Sequence, residues 1–310
     1  MPITTREFTP ADAEAVARSR HAAVPFMVVT AETLLWELRT APPEQRYRLL
    51  VAEVDGRVAG SARASLSTDD DARPDGRGLA SPYADPRLDD PTVEAVTSAL
   101  LRAAEEYLTG LGARSVYIWA NDDGRSPARA EAHGYRRLRR AGFLRLDLTD
   151  TPLPPAPRVP PGVTLHPLAD FAGDPRPIHA LDAETAADEP GDVPVAVPPY
   201  EEWLAREWRR PGIDHALSTV AVADGVPAAF TLAQTDGAGR MMSAMTGTAR
   251  AHRGRGLAKL IKSHALRRAR AAGCTEAFTG NDAENGPMLA VNEWLGYRWS
   301  AAEWRYVREF

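Results

Sequence analysis

The chain is nearly devoid of cysteine, with one, Cys274, in 310 residues. A lone cysteine cannot close an intrachain disulfide. This excludes a disulfide-stapled scaffold and suits a reducing compartment, so a cytoplasmic protein is expected. Cys274 lies between Gly273, at the end of a helical pattern, and a strand pattern, and reads as a small buried hydrophobe. Long apolar runs are also missing. None approaches the roughly 20 residues that span a bilayer, and Met1-Pro2-Ile3-Thr4-Thr5-Arg6-Glu7 lacks the apolar core of a secretory signal, so no membrane association is expected. There is no excess of basic charge either. The formal net charge is −5, whereas phosphate-backbone affinity needs a net basic surface, so no nucleic-acid partner is expected. What remains is the composition of a globular protein, 44% hydrophobic and 25% charged. Its length favours two domains of about 150 residues.

Proline is concentrated in one place. Half of Thr151-Pro152-Leu153-Pro154-Pro155-Ala156-Pro157-Arg158-Val159-Pro160-Pro161-Gly162 is proline, which forbids helix or central strand and predicts a semi-rigid spacer. The expected organisation is one domain over 1–150, a linker over 151–162 and a second domain over 163–310. The halves repeat each other. Val51-Ala52-Glu53-Val54-Asp55-Gly56 is matched by Val220-Ala221-Val222-Ala223-Asp224-Gly225, each an apolar run meeting an Asp-Gly hairpin signal. Gly112 leads through an apolar run to Asn121-Asp122, as Gly273 leads to Asn281-Asp282. His133-Gly134-Tyr135-Arg136 answers Leu295-Gly296-Tyr297-Arg298. The order read in each half is strand, two helices, three strands, long helix, strand, helix, strand pair.

The sharpest local signal is Arg253-Gly254-Arg255-Gly256-Leu257-Ala258. It stands between an extended run, Met241 to Thr248, and a helical run from about Gly256 to Ala272. A helix N-terminus offers unpaired N–H groups and a partial positive charge, and glycines let that backbone lie against a diphosphate without a Cβ in the way. In the first half, the register set by Gly112 and Gly273 places Thr92-Val93-Glu94-Ala95-Val96-Thr97 opposite this hexapeptide. No glycine remains there, Ala95 replaces Gly256, and Glu94 would repel a phosphate. The stretch continues an amphipathic helix with Val93, Val96, Leu100, Ala104, Tyr107 and Leu111 on one stripe. Gly76-Arg77-Gly78-Leu79-Ala80 repeats Gly254 to Ala258 letter for letter. Pro82 and Pro86 follow it, so no helix opens there and strand and loop are expected.

The hexapeptide matches Gln/Arg-x-x-Gly-x-Gly/Ala and resembles the coenzyme A pyrophosphate loop of the GNAT acetyltransferases. A second stretch, Asn285 to Tyr297, resembles that family's Asn-x-x-Ala-x-x-Leu-Tyr-x-x-x-Gly-Phe with matching spacing. Within it Asn285 suits a helix cap and Pro287 the first turn. The resemblance implies an α/β (mixed α+β) protein of two tandem GNAT folds, each a mostly antiparallel central sheet flanked by helices. The N-terminal copy is then degenerate and the C-terminal copy carries the acetyl-CoA motif. It also implies an acetyl-CoA-dependent N-acetyltransferase in which a small-molecule amine attacks the thioester directly. Two alternatives stand beside this: a protein or peptide amine as acceptor, and a non-catalytic acyl-CoA-binding regulator.

Carried onto this chain, the resemblance assigns cofactor binding to Arg253, Gly254, Arg255, Gly256, Leu257 and Ala258, mostly through backbone N–H groups. Lys259, Lys262, Arg267, Arg268 and Arg270 on the following helix are candidates for the 3′-phosphate or a solvated basic face. Polarisation of the thioester is expected from a backbone N–H of Met241 to Thr248, with Thr246 and Thr248 against the pantetheine arm. Asn281 is a cofactor or acceptor contact. The chain departs from the pattern at Asn292, which stands where the family often has a tyrosine that protonates the departing thiolate. An amide is no useful acid near neutral pH, so Asn292 is a hydrogen-bonding contact to sulfur or pantetheine, or the proton comes from elsewhere. Because a thiol's pKa is about 8.5, its anion leaves without much help. The general base is sought among Asp182, Glu184, Glu201 and Glu202, with Glu184 taken as the catalytic candidate. Tyr200, Trp203 and Trp208 either line an acceptor pocket or pack a helix on the sheet. The acidic stretch Asp188-Glu189-Pro190-Gly191-Asp192 draws in a cationic amine or is a solvated loop. No metal is expected.

Overall fold

A computed structural model describes residues 2–68, 74–188 and 197–310. Glu189 to Asp192 of the acidic stretch lie outside the described residues. The first half runs β1 (Ile3–Glu7), α1 (Ala13–Ala23), α2 (Ala31–Thr40), β2 (Arg48–Val54), β3 (Arg57–Thr68), β4 (Pro74–Ala84), α3 (Asp90–Gly110), β5 (Ser115–Asn121), α4 (Arg125–Ala132) and β6 (Arg136–Asp147). The second repeats it as β7 (Val163–Pro167), α5 (Arg176–Ala186), α6 (Tyr200–Trp203), β8 (Thr219–Ala223), β9 (Val226–Thr235), β10 (Arg240–Thr248), α7 (Leu257–Ala271), β11 (Glu276–Asp282), α8 (Gly286–Leu295) and β12 (Arg298–Glu309). The duplicated order is as expected except at its end, where one strand of 12 residues closes each half in place of a strand pair. Among the described residues no helix is long and apolar enough to cross a membrane.

The repeated turn signals work as their chemistry dictates. Asp55 and Gly56 both have positive φ, as do Asp224 and Gly225, the backbone that a two-residue hairpin turn needs to match strand twist. Gly134 and Gly296 are likewise left-handed, and each is followed by a buried tyrosine, Tyr135 or Tyr297. The reading of Gly76 to Ala80 as a decoy broken by Pro82 and Pro86 holds, since they lie inside β4 rather than at a helix start.

Two compact units form, and their limits differ from the expected 1–150 and 163–310. One contains Met1–Ala141 together with Ala301–Phe310; the other contains Gly142–Ser300. The chain changes unit inside β6 and again inside β12. The reason lies in strand pairing: Glu303–Glu309 of β12 pairs antiparallel with Asn121–Ser115 of β5 in the first unit. The first unit's strand order is β1-β2-β3-β4-β5-β12, antiparallel throughout except for the parallel pair β4/β5. Its core is built on Val96, Leu100, Leu101, Ala104 and Leu108 of α3, buried against Ala62, Ala64, Val116 and Tyr306.

In the second unit the order is β11-β10-β9-β8-β7, with the end of β6 beside β11, and β10/β11 is the parallel pair. Leu257, Leu260, Ile261, Ala265, Leu266 and Ala269 form the buried stripe of α7. The proline-rich segment is irregular, as predicted, and it is fastened to this unit: Arg267 donates to the Pro154 carbonyl and Arg270 to the Thr151 carbonyl. Those two arginines are therefore spent on the segment.

Candidate functional site

The site begins where β10 and β11 part. Their parallel pairing runs from Arg240↔Glu276 to Ser243↔Thr279 and stops there. Beyond it β10 stays with β9, and a bulge between Ser243 and Met245 helps it turn away from β11. Gly247 permits the helix above to come close: a Cβ there would lie 2.8 Å from Thr185 Cβ and 2.9 Å from Phe230 Cε1. The gap opens into a cleft of about 760 Å³ lined by Thr246, Thr248, Arg253, Gly254, Gly256, Leu257, Ala258, Asn281 and Asn285, with Lys259 and Lys262 from α7.

The hexapeptide forms one wall. After β10 a 3-10 turn over Arg250–His252 leads to Arg253, and Gly254 and Gly256 both have φ +75. Gly256 is the N-cap of α7 and no side chain caps this helix. The first intrahelical bond is donated by Leu260 N to Gly256 O, so the N–H groups of Leu257, Ala258 and Lys259 have no partner within the helix. A Cβ on Gly254 or Gly256 would meet nothing within 4 Å. The glycines thus answer to backbone conformation and to the space in front of them, and not to crowding by the protein. Uncapped amides, the helix dipole and open space above two glycines together fit a diphosphate group.

Side chains fasten the loop, and Asp188, His252 and Arg253 among them line the cleft. Asp188 accepts from Arg250 Nε at 2.8 Å and from Arg253 Nη2 at 2.5 Å; both arginines hold its carboxyl well below the usual range. Arg253 Nε donates to the Thr248 carbonyl at 3.1 Å, and Arg255 pairs with His252 Nδ1 at 2.8 Å. Arg255 is absent from the cleft lining, leaving it a backbone role. Glu184 is also absent from the lining; its carboxylate accepts the Arg250 N–H at 2.6 Å, which fixes the turn before the loop. Thr246 Oγ1 lies 2.8 Å from Thr231 Oγ1. Asn285 caps α8 as expected, its Oδ1 accepting from Met288 N. Asn292 does not reach the cleft wall. It is wholly buried and donates from Nδ2 to Asn281 Oδ1 at 2.7 Å, so its influence passes through Asn281.

One feature has no signal in the sequence pattern. Lys262 is 1% exposed and reaches Thr279 Oγ1 at 3.3 Å, at the vertex of the gap; burial lowers its amine to about 7. The sequence left it between a 3′-phosphate contact and a solvated basic face, although it stands one residue after the buried Ile261 on the helix. A second cavity of about 240 Å³ is lined by Ile178, Asp182, Trp203, Trp208, His215 and Met245 among others, so Trp203 and Trp208, left open between pocket lining and packing, are among its walls. Trp203 Nε1–H donates to Asp182 Oδ2 at 2.8 Å. Burial raises the Asp182 carboxyl, opposed by the Trp203 hydrogen bond and reinforced by the charge of Glu207. Met245 lines both cavities. Among the described residues no cluster of three or more His, Cys, Asp or Glu is placed to hold a metal ion.

The family match and the fold together give the class, an acetyltransferase. The sequence model of the Acetyltransferase (GNAT) family matches residues 179–297. The C-terminal half is a GNAT acetyltransferase domain, of a family whose donor is acetyl-CoA, and the whole chain has the tandem GNAT fold. Among solved structures the chain is similar to a GCN5-related N-acetyltransferase from Sphaerobacter thermophilus, at 21% identity and TM-score 0.70 over 99% of this chain and 95% of that one. It is also similar to a tandem GNAT protein from the clavulanic acid biosynthesis pathway, at 20% identity and TM-score 0.73 over 99% and 98%. A putative acetyltransferase from Pyrococcus horikoshii follows at 13% identity and TM-score 0.56 over 99% and 89%. No curated protein matches the sequence.

Proposed function

We propose that this protein transfers the acetyl group of acetyl-CoA to the amine of a small molecule, using one cleft per chain. The observation that carries the reading is the uncapped N-terminus of α7 behind Gly254 and Gly256, opening onto the cleft at the strand gap. Backbone N–H groups of Leu257, Ala258 and Lys259 hold the diphosphate, and Thr246, Thr248, Asn281 and Asn285 line the arm that leads to the thioester. Bound there, acetyl-CoA supplies an activated acyl carbon. Preorganised N–H dipoles on β10 stabilise the charge that develops on its carbonyl oxygen.

The acceptor enters the second cavity. Its volume of about 240 Å³ suits a small molecule, and Met245 is the wall it shares with the cleft. Asp182 is the base: its raised carboxyl holds a proton more readily than an exposed one, so it takes the proton that the attacking amine must shed. Trp203 fixes its orientation. Glu184, tied to the Arg250 N–H, positions the loop instead. The N-terminal copy, with Ala95 in place of Gly256, binds no coenzyme A.

An acceptor screen with acetyl-CoA, read by mass shift over small amines and over peptides, tests this. Small amines are expected to be acetylated and peptides not. Asp182→Asn should lower kcat about 100-fold while coenzyme A affinity is unchanged. Tight coenzyme A binding without turnover on any amine would instead make the protein an acyl-CoA-binding regulator.

A further inference from the structure

The internal repeat supplies a control for the chemistry at the strand gap. In the second unit the parallel pair ends at Ser243↔Thr279; in the first it ends at Ala80↔Ile118. Setting the helix-ending Gly112 and Gly273 in register places Leu101 where Lys262 stands. All six side chains are buried. The same vertex is therefore Ala80, Leu101 and Ile118 in the first unit, and Ser243, Lys262 and Thr279 in the unit with the cleft. Packing is satisfied by the apolar set, so the polar set answers to something besides packing.

Lys262 is the costly member. A buried ammonium loses its hydration and needs compensation. Its compensation here is one long hydrogen bond, to Thr279 Oγ1 at 3.3 Å, and the face of the Tyr297 ring at 5.7 Å. No carboxylate among the described residues offsets its burial. An ammonium has three donors, so capacity is left for a further acceptor, and both Lys262 and Thr279 line the cleft. The choice of side chain is informative as well. Of the 37 lysines and arginines in the chain only Lys259 and Lys262 are lysine. A guanidinium stays charged at any working pH, whereas a desolvated amine both carries and releases a proton near neutrality.

We propose that Lys262 is the proton donor to the sulfur that leaves when the acetyl group is transferred, filling the function that Asn292 cannot. The inference rests on the acetyl-transfer reading above. The acceptor nitrogen bonds to the acetyl carbon and the carbon–sulfur bond breaks with its electron pair on sulfur. Lys262 Nζ gives one proton to that sulfur and becomes a neutral amine, then regains a proton from solvent. The proton shed by the acceptor goes to Asp182. Thr279 of β11 and Tyr297 face Lys262, and Ser243 of β10 shares the cleft lining with it; of these only the phenol titrates, and burial pushes it up so that it stays neutral.

Two measurements test it. Wild-type kcat should fall as pH rises through the lysine's titration, and Lys262→Met should lower kcat about 100-fold, keep the affinity for acetyl-CoA within a few-fold and abolish that fall. Independently of turnover, lysine labelled with carbon-13 at Cε gives a protein with two side-chain signals, which Lys259→Arg assigns. Lys262 should titrate well below Lys259, and coenzyme A should shift that titration upward, while desulfo-coenzyme A, lacking the sulfur, should shift it much less. Equal shifts from the two ligands overturn the proposal and leave the transfer reading standing, as does full kcat in Lys262→Met. An acetyl group found on Lys262 after exposure to acetyl-CoA alone overturns it too, since the nitrogen would then be a nucleophile. A chain that binds no coenzyme A overturns both.

Discussion

The two long helices, α3 and α7, occupy equivalent places in their units, yet they begin differently. Helix α3 starts at Asp90, before the stretch that corresponds to the glycine loop in the repeat, and caps itself: Asp89 accepts the Thr92 N–H at 3.0 Å. Helix α7 starts behind Gly256 with no side-chain cap. One helix carries its own carboxylate where anions are favoured, and the other leaves its amides to be met from outside. A duplicated fold thus shows which part of the motif is architecture and which part is a site. The helix and its apolar stripe persist in both units, whereas the uncapped start and the buried Lys262 are particular to one.

The comparison can be broken most directly at the loop. Gly256→Val should weaken acetyl-CoA binding by at least about 100-fold, which is about 2.7 kcal/mol, because a β-branched residue fits poorly at φ +75 and would fill the open space. Ala95→Val, its counterpart on α3, should leave binding unchanged. Calorimetry on the wild type should count one coenzyme A per chain; two equal sites would end the distinction between the units.

A smaller effect should appear in stability against pH. The first unit buries Glu303, which accepts from the Tyr83 hydroxyl at 3.0 Å and whose carboxyl burial raises to about 7. Raised above its unfolded value, it contributes stability that is complete below about 4.5 and lost as pH rises through 7. Lys262 has the opposite sign: lowered to about 7 from 10.5, it contributes stability that is complete above 10.5 and lost as pH falls through 7. Scanning calorimetry should therefore find Glu303→Gln raising the melting temperature by a few degrees at pH 8 and hardly at pH 4.5, and Lys262→Met raising it at pH 6 and hardly at pH 10. If both variants gain on the same side of neutrality, the buried charges are not what distinguishes the units. The smallest change is expected from Asp89→Ala, a slight fall in melting temperature with no effect on acetyl-CoA binding.

Much of the fold was legible because its signals are local. Asp55-Gly56 and Asp224-Gly225 force turns, the prolines from Pro152 to Pro161 forbid regular structure, and Pro82 and Pro86 remove the decoy helix start. The loop from Arg253 to Ala258 was legible for the same reason. What could not be read is non-local. The end of each half reads as a strand pair, and nothing local in Arg298–Glu309 shows that it is one strand or names its partner, so the pairing of its last seven residues with β5 was invisible. Burial of Lys262 and Asp182 depends on what packs over them, and a carboxylate such as Glu184 shows in sequence neither the Arg250 N–H it binds nor the cleft it misses.

Residues 301–310 have one more consequence, and it concerns time. They belong to the first unit, yet about 160 residues are translated between them and Ala141. At about 5–20 residues per second that is an interval on the order of ten to thirty seconds. Throughout it, nascent β5 lacks the neighbour it will have, and an unpaired strand edge is a template for wrong partners. The half that is made first is therefore the half that finishes last, and the cell must keep that edge safe while the rest of the chain is made.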